Sequence, residues 1–512
     1  MENSTGNSKR LAKNTLLLYL RSLIVLVISV YSSRVLLQKL GVDDFGLYGV
    51  VGGIVAMFSS LKSVLASAVQ RFLNFERGKG NEDNVRNIFN MSVIIHLGIS
   101  ILFACIAEIF GCWYILNHLV IPETSISTAL FVFHCSIVAT MIAIYTIPYD
   151  AVVIANERMG FYAIQSIIDI LLKLAIIFLL PLLPFQRVRS YAVLVLVIAI
   201  IIRSISVLYT KRFPECRKKR YWNKQTFKEL TSFAGWNFFG CISYSIIEEG
   251  SNLVLNAFGG VVANAARTLS YQIRSAIMTL SNNVLVASQP FITQKAASES
   301  TEKFWEYIFI QSRLMFNIMI LTGVPLYVYT PEILNVWLDT IPANTIEFVR
   351  TIIIYCIVMS FQKSLDLAFK SLNRMALYQI VDACVLLLTL PCVYAVLKLG
   401  YPLYSAFIVF SIIRVVDYVA VVFVANKQLE LNVKQYVSQV VKPSMVTVFI
   451  SIILVVIFTH IPFKDSFLVW FSLMILIFLC LAVLILLFSL TTEEKNLLKT
   501  IGIQILKRKR NE

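Results

Sequence analysis

Residues 468–488 read LVWFSLMILIFLCLAVLILLF and contain no Asp, Glu, Lys, Arg or His. A stretch of about 20 mostly apolar residues is what an α-helix needs to cross the roughly 30 Å hydrocarbon layer of a bilayer. Apolar runs of the same kind recur at Val25–Val30, Ile101–Ala107 and Val193–Ile202. The sequence therefore predicts an all-α integral membrane protein.

The composition of the whole chain supports this class. Of its 512 residues, 58% are hydrophobic and 14% are charged, and the mean hydropathy is +0.77. Soluble proteins average about 45–50% apolar and about 25% charged residues. The composition therefore excludes an ordinary soluble protein of several domains.

Polar, charged and Gly/Pro-containing breaks divide the chain into fourteen predicted transmembrane helices. Spans seven and eight are the most polar, because they contain many Ser, Asn, Glu and Arg residues. In order, the predicted spans are Asn14–Gln38, Phe45–Val69, Ile88–Leu116, Ile126–Ala155, Phe161–Pro181, Tyr191–Thr210, Leu230–Ala257, Asn264–Ile292, Ile308–Tyr329, Ile346–Phe369, Met375–Leu397, Leu403–Ala425, Met445–Ile461 and Phe467–Leu490.

The basic residues predict the orientation of these spans. Of the 45 Lys and Arg residues, 29 fall on the side that holds the N-terminus, the even-to-odd connections and the C-terminal tail, and five fall on the other side. Basic loops are retained in the cytoplasm. Both termini are therefore predicted to be cytoplasmic.

Short matches between distant segments predict an internal duplication. The residues Asp150, Arg158, Met159 and Tyr162 recur 216 positions later as Asp366, Arg374, Met375 and Tyr378. Ile-Ile-Arg at residues 201–203 likewise recurs at residues 412–414. Because six spans separate the copies, both copies enter from the same side and form a parallel repeat, and such lobes commonly enclose a cleft and alternate their access.

The predicted organisation follows from this repeat. The first six spans form an N-lobe (1–213), the next six form a C-lobe (230–430), and two further helices lie within 431–490. The linker 214–229 and the tail 491–512 are basic, and we expect them to contact anionic lipids rather than nucleic acid.

Several charged pairs within the spans are expected to neutralise each other. Side chains three or four residues apart share a helix face. The predicted pairs are Asp169 with Lys173, Lys363 with Asp366, Arg414 with Asp417, and Glu347 with Arg350.

Other basic residues in the spans have no such local partner, and a charge in hydrocarbon is costly unless it is paired or functional. Arg267 and Arg274 are seven residues apart, hence on one helix face and about 10 Å apart. With Arg21 and Lys62, they are predicted to line a cationic cleft that binds phosphate or pyrophosphate, because guanidinium groups offer forked donors. Bonding to carbonyl groups or to nearby glutamates is the alternative.

Four acidic residues are predicted to take part in ion coupling. Glu248 and Glu249 are adjacent within span seven, and repulsion between them favours uptake of a proton. Asp150 and Asp366 occupy equivalent positions in the two repeats. Charge balance for the nearby arginines is an equal interpretation of the glutamate pair.

The sequence predicts no catalytic, cofactor or metal site. The G-x-x-x-x-G-K-[ST] phosphate loop is absent, the four histidines are scattered, and the nine cysteines form no C-x-x-C pair. No connection is long enough to hold a catalytic domain. A polysaccharide polymerase or ligase is therefore less favoured than a transporter, and a structural scaffold is disfavoured by the cost of the intramembrane charges.

Three segments resemble those of bacterial polysaccharide (O-unit, Wzx-type) flippases, which belong to the multidrug/oligosaccharidyl-lipid/polysaccharide exporter superfamily. They are NLVLNAFGGVVANAARTLSYQIRSAIMTLSNNVLVASQPFITQKAAS at residues 252–298, LGVDDFGLYGVVGGI at residues 40–54, and IPYDAVVIANERM at residues 147–159.

This resemblance implies a multidrug-extruder-like fold and transport of undecaprenyl-pyrophosphate-linked oligosaccharide across the bacterial inner membrane, for O-antigen or capsule assembly. It also implies alternating access driven by an ion, a cationic cavity formed here by Arg21, Lys62, Arg267 and Arg274, and other polysaccharide-assembly proteins as partners. A lipid II flippase and a multidrug extruder of the same superfamily remain alternatives.

Overall fold

The computed structural model describes the backbone of residues 2–489 except 57–64, 67–68, 71, 74–75, 78–79, 157, 218–220, 299, 373 and 461–465. Side chains are described from residue 21 onward. The further exceptions, where only the backbone is described, are residues 56, 159, 226, 229–242, 280, 283–284, 286–287, 289–291, 293–295 and 297–298.

Nearly all described residues are helical, and no strand occurs among them, as predicted from the sequence. The helices of eight residues or more, with one shorter helix at residue 433, are α1 (Glu2–Leu40), α2 (Val42–Ala56), α3 (Glu82–Asn117), α4 (Ile126–Tyr145), α5 (Ile147–Ala155), α6 (Met159–Leu179), α7 (Arg187–Thr210), α8 (Lys224–Ser298), α9 (Thr301–Val328), α10 (Thr330–Trp337), α11 (Thr345–Ser371), α12 (Met375–Leu387), α13 (Thr389–Lys398), α14 (Ser405–Leu429), α15 (Val433–Tyr436), α16 (Lys442–Thr459) and α17 (Phe467–Leu484).

Eleven helical segments of the described chain are long and apolar enough to cross a membrane. Each coincides with one of the fourteen predicted spans, and the predicted spans without a counterpart are the second, seventh and eighth. Span two includes residues 57–64, 67 and 68, which lie outside the described residues. Spans seven and eight lie together in α8. The count of fourteen therefore stays a prediction.

Helix α8 is two helical arms that fold back on each other at Gly260. Gly260 has φ 60° and ψ −162°, a backbone conformation that is essentially restricted to glycine. The reversal is evident from a hydrogen bond of 2.6 Å between residues 19 positions apart, Arg267 and Glu248. In one straight helix these residues would be about 28 Å apart. The two arms correspond to predicted spans seven and eight.

The contacts divide the chain into two compact units. Unit 1 comprises Met1–Leu269 and Val393–Leu403, and unit 2 comprises Ser270–Cys392 and Tyr404–Glu512. This division differs from the predicted boundary in the linker 214–229, because α8 as far as Leu269 belongs to unit 1. The predicted lobes are defined by the sequence repeat rather than by contacts, and they stay a prediction.

A face of glycines on α2 explains why α8 as far as Leu269 belongs to unit 1. A Cβ atom added to Gly46 would overlap the carbonyl oxygen of Val261, and one added to Gly53 would lie 2.8 Å from Glu249 Oε2. Small residues at such spacing allow helix backbones to approach closely within a membrane. The glycines at residues 46, 49 and 53 therefore allow α2 to pack directly against the two arms of α8.

In unit 2, α9 and α11 form the interior. In the most apolar 18-residue stretch of each of these helices, 67% of the residues are buried. The corresponding share in Phe467–Ser489 is 17%. Aromatic side chains fill the space around these two helices, and Phe316 of α9 stacks on Phe361 of α11 with ring centroids 4.4 Å apart. Helix α17 lies at the periphery, as its almost uninterrupted apolar sequence requires.

Candidate transport site

Arg267 on the second arm of α8 contacts both predicted glutamates. Its Nη2 donates a hydrogen bond of 2.6 Å to the backbone carbonyl of Glu248, and its Nη1 lies 3.7 Å from Glu249 Oε2. The side chain of Arg267 is 6% exposed. The hairpin therefore brings together three residues that the sequence analysis selected. This geometry supports charge balance, and binding of cargo by Arg267 stays a prediction.

Three asparagines hold the two arms of α8 together. Asn264 Nδ2 donates to Asn252 Oδ1 at 2.7 Å, and Asn256 Nδ2 donates to Asn264 Oδ1 at 2.8 Å. The amide of Val120, beyond the end of α3, donates to Asn256 Oδ1 at 2.9 Å. All three asparagine side chains are buried. Each amide is thus satisfied without water, as a low-dielectric interior requires, which explains why so polar a segment is helical inside the protein.

Arg274 belongs to unit 2, and aromatic rings surround its guanidinium group. The Cζ atom lies 4.8 Å from the ring centre of Tyr271 and 5.3 Å from that of Tyr355. Ring faces stabilise a cation electrostatically without cancelling its charge. Arg274 is buried, so these rings stabilise its charge in a low-dielectric interior.

Arg21, on α1 in unit 1, has a similar aromatic contact. Its Cζ atom lies 5.1 Å from the ring centre of Tyr162 on α6. Its Nε is buried and has no hydrogen-bond partner within the described part of the chain. Lys62, the fourth predicted cationic residue, lies outside the described residues.

The repeat-related carboxylates Asp150 and Asp366 are both ion-paired. Arg203 Nη1 of α7 lies 2.6 Å from Asp150 Oδ2, a partner 53 residues away that local spacing does not reveal. Asp366 accepts from Lys370 at 2.6 Å, within the same helix. Neither carboxylate is ready to take a cation without first releasing its basic partner, and their role in ion coupling stays a prediction.

A cluster of polar and charged side chains surrounds Arg414 in unit 2, and only one of its pairs was predicted from the sequence. Arg414 Nη1 lies 3.0 Å from Asp417 Oδ2, 3.3 Å from Asp382 Oδ1 and 3.2 Å from Gln362 Oε1. Gln362 Nε2 in turn donates to Asp382 at 2.6 Å. Two carboxylates therefore share one guanidinium group, and Asp417 is completely buried.

One oxygen of this cluster has no hydrogen-bond partner. Asp417 Oδ1 is buried and accepts no hydrogen bond from any described residue. A buried, unsatisfied carboxylate oxygen is unfavourable unless a proton or cation can reach it. We call Gln362, Asp382, Arg414 and Asp417 the Arg414 cluster. This cluster has one more carboxylate than its guanidinium group can neutralise, and one buried carboxylate oxygen without a hydrogen bond from a described residue. Only the Arg414–Asp417 pair could be found from sequence spacing.

A family model described as "Polysaccharide biosynthesis protein" matches residues 11–296, more than half of the chain. The chain belongs to this family. Among curated proteins, none matches the sequence significantly.

Solved structures show the same fold at low sequence identity. The lipid II flippase MurJ in an inward closed conformation is 12% identical, with a TM-score of 0.69 over 92% of this chain and 98% of that chain. An inward-facing multidrug resistance MATE family transporter is 13% identical, with a TM-score of 0.66 over 80% and 98%. A MOP superfamily transporter from Pyrococcus furiosus is 13% identical, with a TM-score of 0.61 over 82% and 96%.

Together, the family match and the fold show a multi-pass membrane protein of the polysaccharide biosynthesis family, with the fold of MurJ and of the MATE transporters. The predicted multidrug-extruder-like fold is confirmed. The cargo is a separate question, because structures this dissimilar in sequence share only the fold.

Proposed function

We propose that this family member moves an undecaprenyl-pyrophosphate-linked oligosaccharide from the inner to the outer leaflet of the bacterial inner membrane, for O-antigen or capsule assembly. In this proposal both termini are cytoplasmic, and the protein works by alternating access. Family membership supports a role in polysaccharide biosynthesis, and the distribution of basic residues supports the orientation.

The observation that carries this proposal is the way two intramembrane arginines are held. Arg21 lies over Tyr162, with a buried Nε that makes no hydrogen bond to a described residue, and Arg274 lies beside two tyrosine rings. Guanidinium donors suit a pyrophosphate because several N–H groups can bind its oxygens at once. We propose that Arg21 and Arg274 bind the pyrophosphate, with Lys62 and Arg267 as further cationic contacts.

We further propose that transport is coupled to a cation or proton, and that the Arg414 cluster takes part. Its two carboxylates exceed the charge of one guanidinium, and Asp417 Oδ1 offers a buried acceptor. A proton on Asp417 would donate to a neighbouring oxygen and remove the excess charge. Glu248, Glu249, Asp150 and Asp366 remain candidate coupling residues.

Purified protein in proteoliposomes tests the cargo directly. The probe is a fluorescent polyprenyl-pyrophosphate-linked disaccharide, whose movement is measured by its accessibility to an impermeant quencher. We expect the wild-type protein to move this probe, and Arg21→Ala with Arg274→Ala to slow it at least tenfold while the protein still reconstitutes. The matched control is Lys173→Gln, because Lys173 is a basic residue within a span that has its own partner, Asp169, at 2.8 Å.

The same assay separates the alternatives. Equal movement of a polyprenyl monophosphate would show that the pyrophosphate is not recognised. Movement of lipid II alone would make the protein a lipid II flippase, and export of organic cations alone would make it a multidrug extruder. Either result, or an undiminished rate in the double variant, would refute the proposed cargo site.

A further inference from the structure

Glu108, Cys112 and His134 lie together in unit 1. Glu108 and Cys112 are four residues apart on one face of α3, and His134 lies on the adjacent helix α4. Oxygen, sulfur and nitrogen atoms of the three side chains are within 4.8 Å of one another. Within the described part of the chain, no other three His, Cys, Asp or Glu side chains form such a group.

The distances in this group resemble the spacing of ligands around a tetrahedral metal ion. His134 Nδ1 lies 3.1 Å from Glu108 Oε1, and Cys112 Sγ lies 3.3 Å from Glu108 Oε2. Bonds of about 2.0–2.3 Å to Zn²⁺ place neighbouring tetrahedral ligands roughly 3.3–3.8 Å apart. All three side chains offer ligand atoms within 4.8 Å of one another, so an ion could enter between them after side-chain movements of about 1 Å or less.

The surroundings favour a site that becomes electrically neutral. The next two residues of α3, Ile109 and Phe110, are 68% and 64% exposed, as expected of a helix face that contacts lipid. One carboxylate, one thiolate and one neutral imidazole balance the charge of a divalent cation. Charge neutrality at this position removes the cost of an isolated ion beside hydrocarbon.

A cavity of about 520 Å³ reaches His134, one member of the group. It is lined by His134 and, toward the start of α4, by the polar residues Glu123, Ser127 and Arg189. Glu123 lies 11 positions before His134, so the lining extends roughly 16 Å along the helix axis. The basic-residue distribution predicts that this end of α4 faces outward, away from the cytoplasm. Water and ions would therefore enter from outside.

We propose that Glu108, Cys112 and His134 form a binding site for a divalent cation of the Zn²⁺ class, with water as the fourth ligand. Cys, His and carboxylate side chains are the preferred zinc ligands, and three protein ligands with one open position are common in accessible sites. Binding replaces the thiol proton of Cys112, which passes to water, with a sulfur–metal bond. The ion would fasten α3 to α4.

The competing interpretation is a metal-free ion pair between His134 and Glu108, which are 3.1 Å apart. In that arrangement Cys112 would be only a hydrogen-bond donor. The two interpretations differ in the consequence of replacing the thiol: Cys112→Ser abolishes a metal site and leaves the ion pair intact.

The test uses the full-length protein in detergent with Zn²⁺ alone as the probe. Zn²⁺ is titrated in competition with a chromogenic chelator, and alkylation of each cysteine is followed by mass spectrometry. We expect one tightly bound ion per chain and protection of Cys112 from maleimide. Cys112→Ser and His134→Gln should each weaken binding by more than about 100-fold, since losing even an outer-shell partner costs about 10–100-fold.

Cys105 provides the matched control, because it is an exposed cysteine on the same helix. Cys105→Ser should bind Zn²⁺ as the wild-type protein does, and Zn²⁺ should leave the alkylation of Cys105 unchanged. Equal binding by wild type and Cys112→Ser, or absence of binding at micromolar Zn²⁺, would overturn the proposal. Neither outcome depends on whether the protein flips a lipid-linked glycan.

Discussion

Replacing Arg414 with glutamine should destabilise the protein more than replacing any peripheral basic residue. The guanidinium lies 3.0 Å from Asp417 and 3.3 Å from Asp382. With an effective dielectric constant of about 20, each of these contacts corresponds to about 5 kcal/mol of Coulomb attraction. The net cost is smaller, since Arg414 itself no longer needs to be desolvated. Removing one partner of a buried ion pair typically costs about 3–5 kcal/mol, and we expect Arg414→Gln to fall in that range.

The charge count of the cluster gives this prediction a second, more specific part. Arg414→Gln leaves the buried carboxylate of Asp417 beside the partly exposed carboxylate of Asp382, and protonating one of them at low pH relieves their repulsion. The loss of stability should therefore be larger at pH 8 than at pH 5. Asp417→Asn removes the excess carboxylate and should cost much less, and adding it to Arg414→Gln should recover part of the lost stability.

Thermal unfolding in detergent, followed by size-exclusion chromatography, measures these effects. Lys173→Gln is the control, because its pair with Asp169 is about one third exposed and such pairs contribute only about 0–1 kcal/mol. A midpoint for Arg414→Gln equal to that of Lys173→Gln would refute the charge-sharing geometry. An equal loss at pH 5 and pH 8 would refute the excess-carboxylate argument.

Three further predictions concern packing, hydrogen bonding and thiol reactivity. Gly53→Ala should lower the free energy of unfolding by about 1–3 kcal/mol through overpacking against the α8 hairpin. Gly52→Ala, whose added Cβ meets nothing within 4 Å, should be neutral or stabilising in the same unfolding assay. Asn264→Ala removes the donor to buried Asn252 Oδ1 and one acceptor of buried Asn256 Nδ2, and it should lower the yield of folded protein, measured by chromatography. A wild-type yield would contradict the proposed role of these hydrogen bonds. Burial and the carboxylate of Glu215 raise the pKa of the Cys216 thiol to about 12. Alkylation of Cys216 at pH 8 should therefore be roughly a thousandfold slower in the folded protein than in denaturant. Equal rates would show that the thiol is accessible and ionised in the folded protein.

The sequence predicted well those features that depend on neighbouring residues. The ion pairs Asp169–Lys173 and Arg414–Asp417 are confirmed, with distances of 2.8 Å and 3.0 Å, because helix geometry brings such positions together. The separation of two polar helices near Gly260 is likewise confirmed by the reversal of α8. These features follow from the periodicity of the helix and from the backbone conformations that only glycine adopts readily.

Two local pairs were predicted wrongly. Asp366 pairs with Lys370 rather than with Lys363. On a helix, an acidic residue pairs best with a basic residue four positions later in the sequence, and Lys370 occupies that position. Lys363 instead donates to Asn282 at 2.5 Å. Arg350, expected to pair with Glu347, donates to a backbone carbonyl at Tyr327. In each case a neighbouring helix or a competing residue supplies a partner that spacing alone does not reveal.

Apart from the contacts of Arg267 with Glu248 and Glu249, features that depend on contacts between distant residues could not be predicted. Arg203 has no acidic residue nearby in sequence, yet it pairs with Asp150 from another helix. The contact of His134 with Glu108, 26 positions earlier, likewise arises from the packing of two helices. Long-range pairing of this kind requires the helix packing itself.

The asparagine bonds across the α8 hairpin have a consequence for how the chain enters the bilayer during synthesis. Either arm alone would present several bare amide groups to hydrocarbon, at a cost of several kcal/mol for each group. If the arms fold against each other first, these amides satisfy one another. The two arms should therefore insert as a single unit, and a truncation after Gly260 should leave the first arm outside the membrane.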